Sequence, residues 1–435
     1  VLPEAVAVVL AVALLVALIA IRAPIFVALG LSGVVGLLLI GGFAELELVP
    51  LALVTQLQNY TLVAAPLYIL LGEVLAVSGA GRDLFRTAYR WFNRVPGGLG
   101  VSAVGSSTVF GAMSGVSISS VAVIGRMAVP EMLHRGYKPS FASGSVVASG
   151  ALAMLIPPSL MFLLYSSITG ENVAALFAGG IGPGLLLAVL MGMYVVVRAK
   201  FAPHNAPRGE DRFSWGERMR ALRRILPALL LIALVLGSIY SGFATPTEAA
   251  AVGALLSFAI AGLWYRNLTW ANCRRIFVST VQVSATILAI VGAAFVFTQM
   301  LVLADVPATV SSFVVGLDVS PYVVIAGIMV VLVLLGCLVD AASLLLVVTP
   351  ILVPAIVELG FDPLWFGVLL VVNLEMAVMT PPVGLNLYTM KSVVPQLDLK
   401  EIFRGVLPYL LIVMLVLVAV VAFPEIATFL PEVLG

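Results

Sequence analysis

Charge is what this sequence has least of. Only 10% of its 435 residues are Asp, Glu, Lys or Arg, and 62% are apolar; soluble domains carry about 25% charged residues. That balance excludes a soluble enzyme and a disordered tail. The two cysteines, Cys273 and Cys337, and two histidines, His134 and His204, exclude a disulfide scaffold. They also leave little material for haem, transition-metal, redox or His/Cys/Asp catalytic chemistry. A formal net charge of +1 gives no electrostatic case for nucleic acid. No G-x-x-x-x-G-K-[ST] occurs, so nothing points to ATP hydrolysis by this chain. Glu4 stands where a signal peptide would be basic, and no small-residue cleavage pattern follows, so the first apolar segment reads as a retained helix. What remains is an all-α polytopic membrane protein in a lipid bilayer, with room for on the order of ten crossings of about 20 residues each.

The sequence contains itself twice. Pro130, Gly136-Tyr137-Lys138-Pro139 and Pro157-Pro158 recur 224 residues on as Pro354, Gly360-Phe361-Asp362-Pro363 and Pro381-Pro382. Gly111 pairs with Gly336 after a one-residue slip, and Pro24 pairs with Pro246. Gap-free agreement of this kind reads as a duplicated unit. Charge then orients the copies, because short inner loops collect Lys and Arg. Arg82, Arg86, Arg90 and Arg94 of copy one face Asp305 and Asp318 of copy two; Arg135 and Lys138 face Glu358 and Asp362. Equivalent loops lie on opposite sides, which predicts an inverted-topology repeat.

The path follows. Repeat 1 occupies 1–197, with a scaffold (1–80; spans 3–21, 24–42 and 60–79), an amphipathic arm (82–95) and transport elements (97–197). The latter are a re-entrant hairpin (97–129), an interrupted helix (140–168) and a final span (174–197). Residues 198–225 form a basic cytoplasmic linker that includes Arg208. Repeat 2 occupies 226–435, with a scaffold (226–303; spans 226–240, 246–264 and 276–303), an arm (305–319) and transport elements (321–423). Its hairpin is 321–353, its interrupted helix 364–394 and its final span 405–423. Both termini fall outside, on the periplasmic side. Trp91, Trp215, Trp264, Trp270 and Trp365 fall at span ends or in the linker, where indoles favour the interface.

Proline lacks an amide hydrogen and frees the carbonyl four residues before it. Pro157 and Pro158 free Ala153 and Met154; Pro381 and Pro382 free Ala377 and Val378. Such carbonyls survive in hydrocarbon only where protein, water or an ion satisfies them. New helices are expected to restart at Pro158 and Pro382, aiming amides at the break. The hairpin tips, Gly111–Ser120 and Gly336–Ser343, offer small residues and hydroxyls able to supply oxygens to a hard cation such as sodium. Asp340 is an ionisable group in an apolar hairpin, the mark of a functional site. Glu375 reads either as a coupling carboxylate or as a group bonded to nearby backbone. Arg126 reads as snorkelling to the interface, Glu73 as structural, Thr245–Glu248 as a capped helix start, and Gly30, Gly33 and Gly36 as a close-packing face. Candidate substrate contacts are Ser114, Ser117, Ser343, Thr380 and Asn386.

Several of these segments together resemble one family. Gly111–Gly125 with Pro130-Glu131-Met132, Leu155–Ser159, Leu176–Gly179 with Pro183-Gly184, Thr245–Ala250 and Met379–Asn386 are similar to the large membrane subunit of tripartite ATP-independent periplasmic (TRAP) transporters. The resemblance covers nearly the full chain in order. It implies sodium-driven, elevator-type uptake of an organic acid across a bacterial inner membrane, with Na+ as coupling ion and no organic cofactor. It implies two partners, a small four-helix membrane subunit and a periplasmic substrate-binding protein. One sodium site would use Gly111, Ser114, Ala153, Ile156 and Pro157. The other would use Gly336, Ala377, Thr380 and Val383, to which the residue reading adds Asp340. Ala153 and Ala377 stand where many members have glycine, and Arg126 where a small residue is usual. A stand-alone sodium–carboxylate symporter of similar architecture is the alternative; a membrane enzyme or a passive channel fits less well.

Overall fold

The protein is all helix among the described residues, which in this computed structural model are 2–207, 209, 211–317 and 319–434. Arg208 and Asp318, which entered the charge argument, lie outside them. The first half runs through α1 (Glu4–Ala20), α2 (Ile25–Gly41), α3 (Leu48–Leu57), α4 (Tyr60–Ser78), α5 (Ala80–Phe92), α6 (Gly98–Ser114), α7 (Ser117–His134), α8 (Pro139–Ala151), α9 (Leu160–Thr169) and α10 (Val173–Phe201). The second runs through α11 (Trp215–Tyr240), α12 (Pro246–Ala259), α13 (Trp270–Leu303), α14 (Val306–Val315), α15 (Pro321–Gly336), α16 (Ala341–Glu358), α17 (Pro363–Ala377), α18 (Leu385–Val393), α19 (Leu399–Ala422) and α20 (Glu425–Leu434). Each half therefore passes through scaffold helices, an arm (α5, α14), a hairpin (α6–α7, α15–α16), a broken helix (α8–α9, α17–α18) and a long helix (α10, α19). Eight of the described helical segments are long and apolar enough to cross a bilayer.

Helix boundaries follow local chemistry, and several differ from the sequence expectation. The linker assigned to 198–225 is mostly helix. α10 continues to Phe201, and α11 begins at Trp215 because Ser214 and Glu217 form a reciprocal capping box. Thr245 and Glu248 do the same for α12, as expected. α3 and α20 were not anticipated; ten residues each are too short to announce a span. The helices after the breaks restart at Leu160 and Leu385, not at Pro158 and Pro382. Ser159 is extended and Gly384 left-handed (φ 34°), so the chain turns after each proline pair before it recoils. Trp365 begins α17 but is buried, its indole N–H donating to the Val420 carbonyl at 3.0 Å. Trp215, Trp264 and Trp270 are exposed.

Scaffold helices of the two halves meet at a seam of small residues. A Cβ on Gly33 of α2 would stand 2.8 Å from the Phe297 amide nitrogen and 2.9 Å from its Cα on α13. Lipid gives no hydrophobic drive for helices to associate, so such close dispersion contact holds them together. At the arginine-rich end, Asp211 accepts hydrogen bonds from Tyr89 Oη of the arm and from Arg135 Nη1, each at 2.7 Å, and its carbonyl accepts from Asn93. Arg135 also pairs with Glu131 at 2.6 Å. The segment between the halves is thereby strapped to both the arm and the α7–α8 turn.

Gly33→Leu is expected to destabilise the purified protein by about 1–3 kcal/mol through overpacking, read as a lower melting temperature. The bonds from Tyr89 and Arg135 hold the Asp211 carboxyl below its ordinary value. Its contribution is thus present above the unfolded value of about 4 and is lost as pH falls through the lower folded one. Asp211→Asn should lower the melting temperature at pH 7, by an amount that shrinks towards zero on acidification through that range.

Candidate functional site

Both hairpin tips rest on the broken helices at backbone distance. In the first half, a Cβ on Gly111 would lie 2.9 Å from the Ala153 Cα. Gly115, left-handed at φ 62°, brings its own backbone so close to the break that a Cβ there would lie 2.5 Å from the Pro158 carbonyl oxygen. The Leu160 amide donates across to the Gly115 carbonyl at 3.5 Å. The second half repeats the arrangement. A Cβ on Gly336 would lie 2.6 Å from the Ala377 Cβ, and the Val383 amide donates to the Cys337 carbonyl at 3.2 Å. Both Pro–Pro bonds are cis.

The freed carbonyls meet different fates. Ser159 Oγ donates to the Met154 carbonyl, and the Asn386 amide donates to Val378 at 3.0 Å. The Ala377 carbonyl receives a long bond of 3.4 Å from the Thr380 amide. Among the described residues, no donor reaches the Ala153 carbonyl. Neutral carbonyls and hydroxyls at a helix break are the donor set that coordinates alkali cations in broken-helix transporters, so these residues fit such an ion. Asp340 accepts from the Ser343 amide at 3.1 Å and from Ser343 Oγ at 2.5 Å, so its first role is to cap α16.

A cavity of about 590 Å³ lies beside the first tip, between scaffold and hairpin. Its walls are α4 with Gly72 and Glu73, the tip residue Ser114, one face of α7 (Ser119, Ala122, Val123, Arg126), and Asn272, Arg275 and Ser279 of α13. Arg82 and Asn267 line it at the arginine-rich end. Outside that lining, hydrogen bonds join α9 to the α3–α4 turn and α4 to α12. Gln56 and Asn59 donate to the side chain and carbonyl of Ser167 at 3.4 and 3.1 Å, and Tyr68 Oη donates to the Pro246 carbonyl at 3.0 Å.

The model of the DctM component of tripartite ATP-independent periplasmic transporters matches residues 12–426. The chain belongs to that family. The C4-dicarboxylate TRAP transporter large permease protein DctM of Pseudomonas aeruginosa is 34% identical over 409 residues, covering 94% of each chain. The isethionate TRAP transporter permease protein DctMQ of Oleidesulfovibrio alaskensis is 31% identical over 93% of this chain and 63% of that protein. Among solved structures, the YdaH transporter of Alcanivorax borkumensis superposes with a TM-score of 0.58, at 17% identity, over 91% of both chains. At that identity it speaks for the fold alone.

The TRAP permease thus brings together Gly111 with Ala153, beside Ser114 and Pro158, and Gly336 with Ala377, beside Thr380 and Val383. Of the five candidate substrate contacts only Ser114 lines the cavity; Ser117, Ser343, Thr380 and Asn386 do not. Asn386 is buried with neither side-chain atom hydrogen-bonded, and Glu375 is buried with both carboxylate oxygens unpartnered. Of the two readings of Glu375, bonding to nearby backbone is therefore not what the structure shows. Arg126, expected to snorkel, lines the cavity, as do Glu73, Arg82 and Arg275, none of which sequence reading placed at the site. The signal was there for α7, because Ser119, Ala122, Val123 and Arg126 fall at i, i+3, i+4 and i+7, one face of a helix. Gly111→Val and Gly336→Val should each lower uptake by about tenfold or more in reconstituted vesicles while insertion, checked by protease protection, is kept.

Proposed function

We propose that this TRAP permease is the translocating subunit for sodium-coupled uptake of an organic acid anion, working by an elevator movement. The observation that carries the proposal is the seating of each hairpin tip on its own broken helix, at backbone contact in both halves. A cation held at each junction would replace the hydrogen bonds that the prolines remove and would fix the tips in place. Sodium would enter at Gly111, Ser114, Ala153, Ile156 and Pro157 in one half, and at Gly336, Ala377, Thr380 and Val383 in the other, with Asp340 adding charge nearby. The ordered tip then presents the amino end of α7 to an anion in the adjoining cavity.

The arginines of the arm, of the α7–α8 turn and of the segment between the halves assign their end of the bundle to the cytoplasm. Both termini then lie in the periplasm. On this reading the cavity at the arginine-bearing end, with Gln56 and Asn59 joining the scaffold to Ser167 of α9, supports an inward-facing conformation. In the outward movement, α6–α10 and α15–α19 would travel against the scaffold of α1–α4 and α11–α13. Membership of a tripartite family supports a small membrane subunit and a periplasmic binding protein as partners. Relatives named for a C4-dicarboxylate and for isethionate support an anionic substrate.

The test is uptake into proteoliposomes holding the complete system, with and without an inward sodium gradient. Uptake should collapse when the gradient is dissipated. Pro157→Ala and Pro381→Ala, which restore a helical amide, should each raise the half-saturating sodium concentration by about fivefold or more. Unchanged sodium dependence in both variants would refute the scheme.

A further inference from the structure

The cavity beside the first hairpin carries more positive charge than its walls neutralise. Arg82, Arg126 and Arg275 line it, against one carboxylate, Glu73. Glu73 lies near Arg275 and Ser279. Among the described residues, the ion pairs within 4.0 Å are those of Arg135 with Glu131 and Asp211, so none of these three arginines is held by an acid at that distance. All three arginines are exposed, and Arg275 is the one with an acid beside it. Unpaired arginines that line a water-filled cavity at the end of a membrane bundle offer charge to a passing anion.

We infer that Arg126, with Arg82 and Arg275, forms an anion subsite at the cytoplasmic end of this cavity that takes the second negative group of a dianionic substrate. The inference rests on the reading that the cavity lies on the substrate path. The geometry separates two positive features on one helix. The first turn of α7, with Val116, Ile118 and Ser119 in the wall, offers unpaired amides and the positive end of the helix dipole. Arg126 follows nine residues after Ser117, about 13 Å along the axis, and its long side chain leans back towards that turn. One carboxylate meets the tip and the other meets the guanidinium. A monoanion satisfies only one of them. Glu73 competes with the substrate for Arg275, so it weakens the subsite. Volume does not choose the substrate here, because 590 Å³ exceeds a four-carbon acid several times over; charge does.

The experiment measures binding directly, by thermal stabilisation of the purified membrane complex at constant ionic strength, with succinate as dianion and propionate as monoanion. Succinate should bind at least fivefold more tightly than propionate. Arg126→Ser should weaken succinate about fivefold or more and propionate less than twofold, and Arg126→Lys should restore part of the loss. Glu73→Gln should tighten succinate binding about threefold, an effect that a merely structural role for these residues does not produce. Should Arg126→Ser fail to fold, Arg126→Lys and Glu73→Gln carry the decision. Equal binding of the two acids to the unaltered complex would overturn the subsite, as would equal losses for both acids in the Arg126 variants or weaker binding in Glu73→Gln. Charge-selective binding without sodium-driven uptake would sink the transport reading and leave the subsite standing. Sodium-driven uptake without charge selectivity would do the reverse.

Discussion

A peptide carbonyl without a donor is the constraint on which this structure turns. In water such a group costs little, but in hydrocarbon each one costs several kcal/mol unless something else satisfies it. Two helices nevertheless carry proline pairs at mid-length, and each break is met by the tip of a re-entrant hairpin. The hairpins themselves bring irregular backbone into the bundle, which is tolerated only when protein covers it or water reaches it. Each irregularity thus covers the other, and neither would be stable alone. That mutual dependence explains why Gly111 and Gly336 face Ala153 and Ala377. Even a methyl at either glycine, or a side chain larger than methyl at either alanine, would push the two backbones apart and uncover their polar groups.

Small residues do the same at larger scale. Gly33 admits the backbone of α13 to α2, and Gly144 of α8 lies against the backbone of Gly405 of α19. Such seams join halves of the chain that lie hundreds of residues apart, so the duplicated units interlock instead of standing side by side. Seams of this kind permit close contact without locking side chains together. Polar ties that cross between elements occur near helix ends, as from Asn59 to Ser167, and at mid-helix, as from Asn373 to the Met329 carbonyl at 2.9 Å.

Much of this was legible in the residues, and the reason is specific. Proline pairs, glycine-rich tips and the Gly-aromatic-charge-Pro turns are backbone signals, and backbone signals survive in a single sequence. The ends of α5, α6 and α8 and the interruptions at both proline pairs fall within a few residues of those signals. What was not legible depended on three-dimensional neighbours. α3 and α20 are ten residues long and carry no span-length pattern. The restarts at Leu160 and Leu385 depend on how far the chain must turn before an amide can meet a carbonyl. The cavity was missed because its wall is assembled from α4, α7 and α13, whose residues are up to about two hundred positions apart. Arg126 looked like an interfacial anchor because its depth can be counted from sequence but its facing partner cannot.

The two halves share an order of elements yet use it unequally, and charge shows where they part. At the 224-residue shift, Ser119 and Arg126 of α7 correspond to Ser343 and Pro350 of α16. Val348, Ile351 and Leu352 of α16 line an apolar groove of about 520 Å³ with α14 and α15, a different set of helices from the α4, α7 and α13 that wall the arginine-lined cavity. A duplicated fold supplies two equivalent tip-and-break junctions, because those depend on backbone. It need not supply two equivalent anion cavities, because those depend on side chains that drift independently once the copies separate. Under the proposed opposite orientation of the copies, a second arginine-lined cavity would face the periplasm and would place cations where the positive-inside tendency disfavours them. Gathering Arg82, Arg126 and Arg275, from both halves, at one end of the bundle therefore fits the proposed topology and the proposed anionic substrate together.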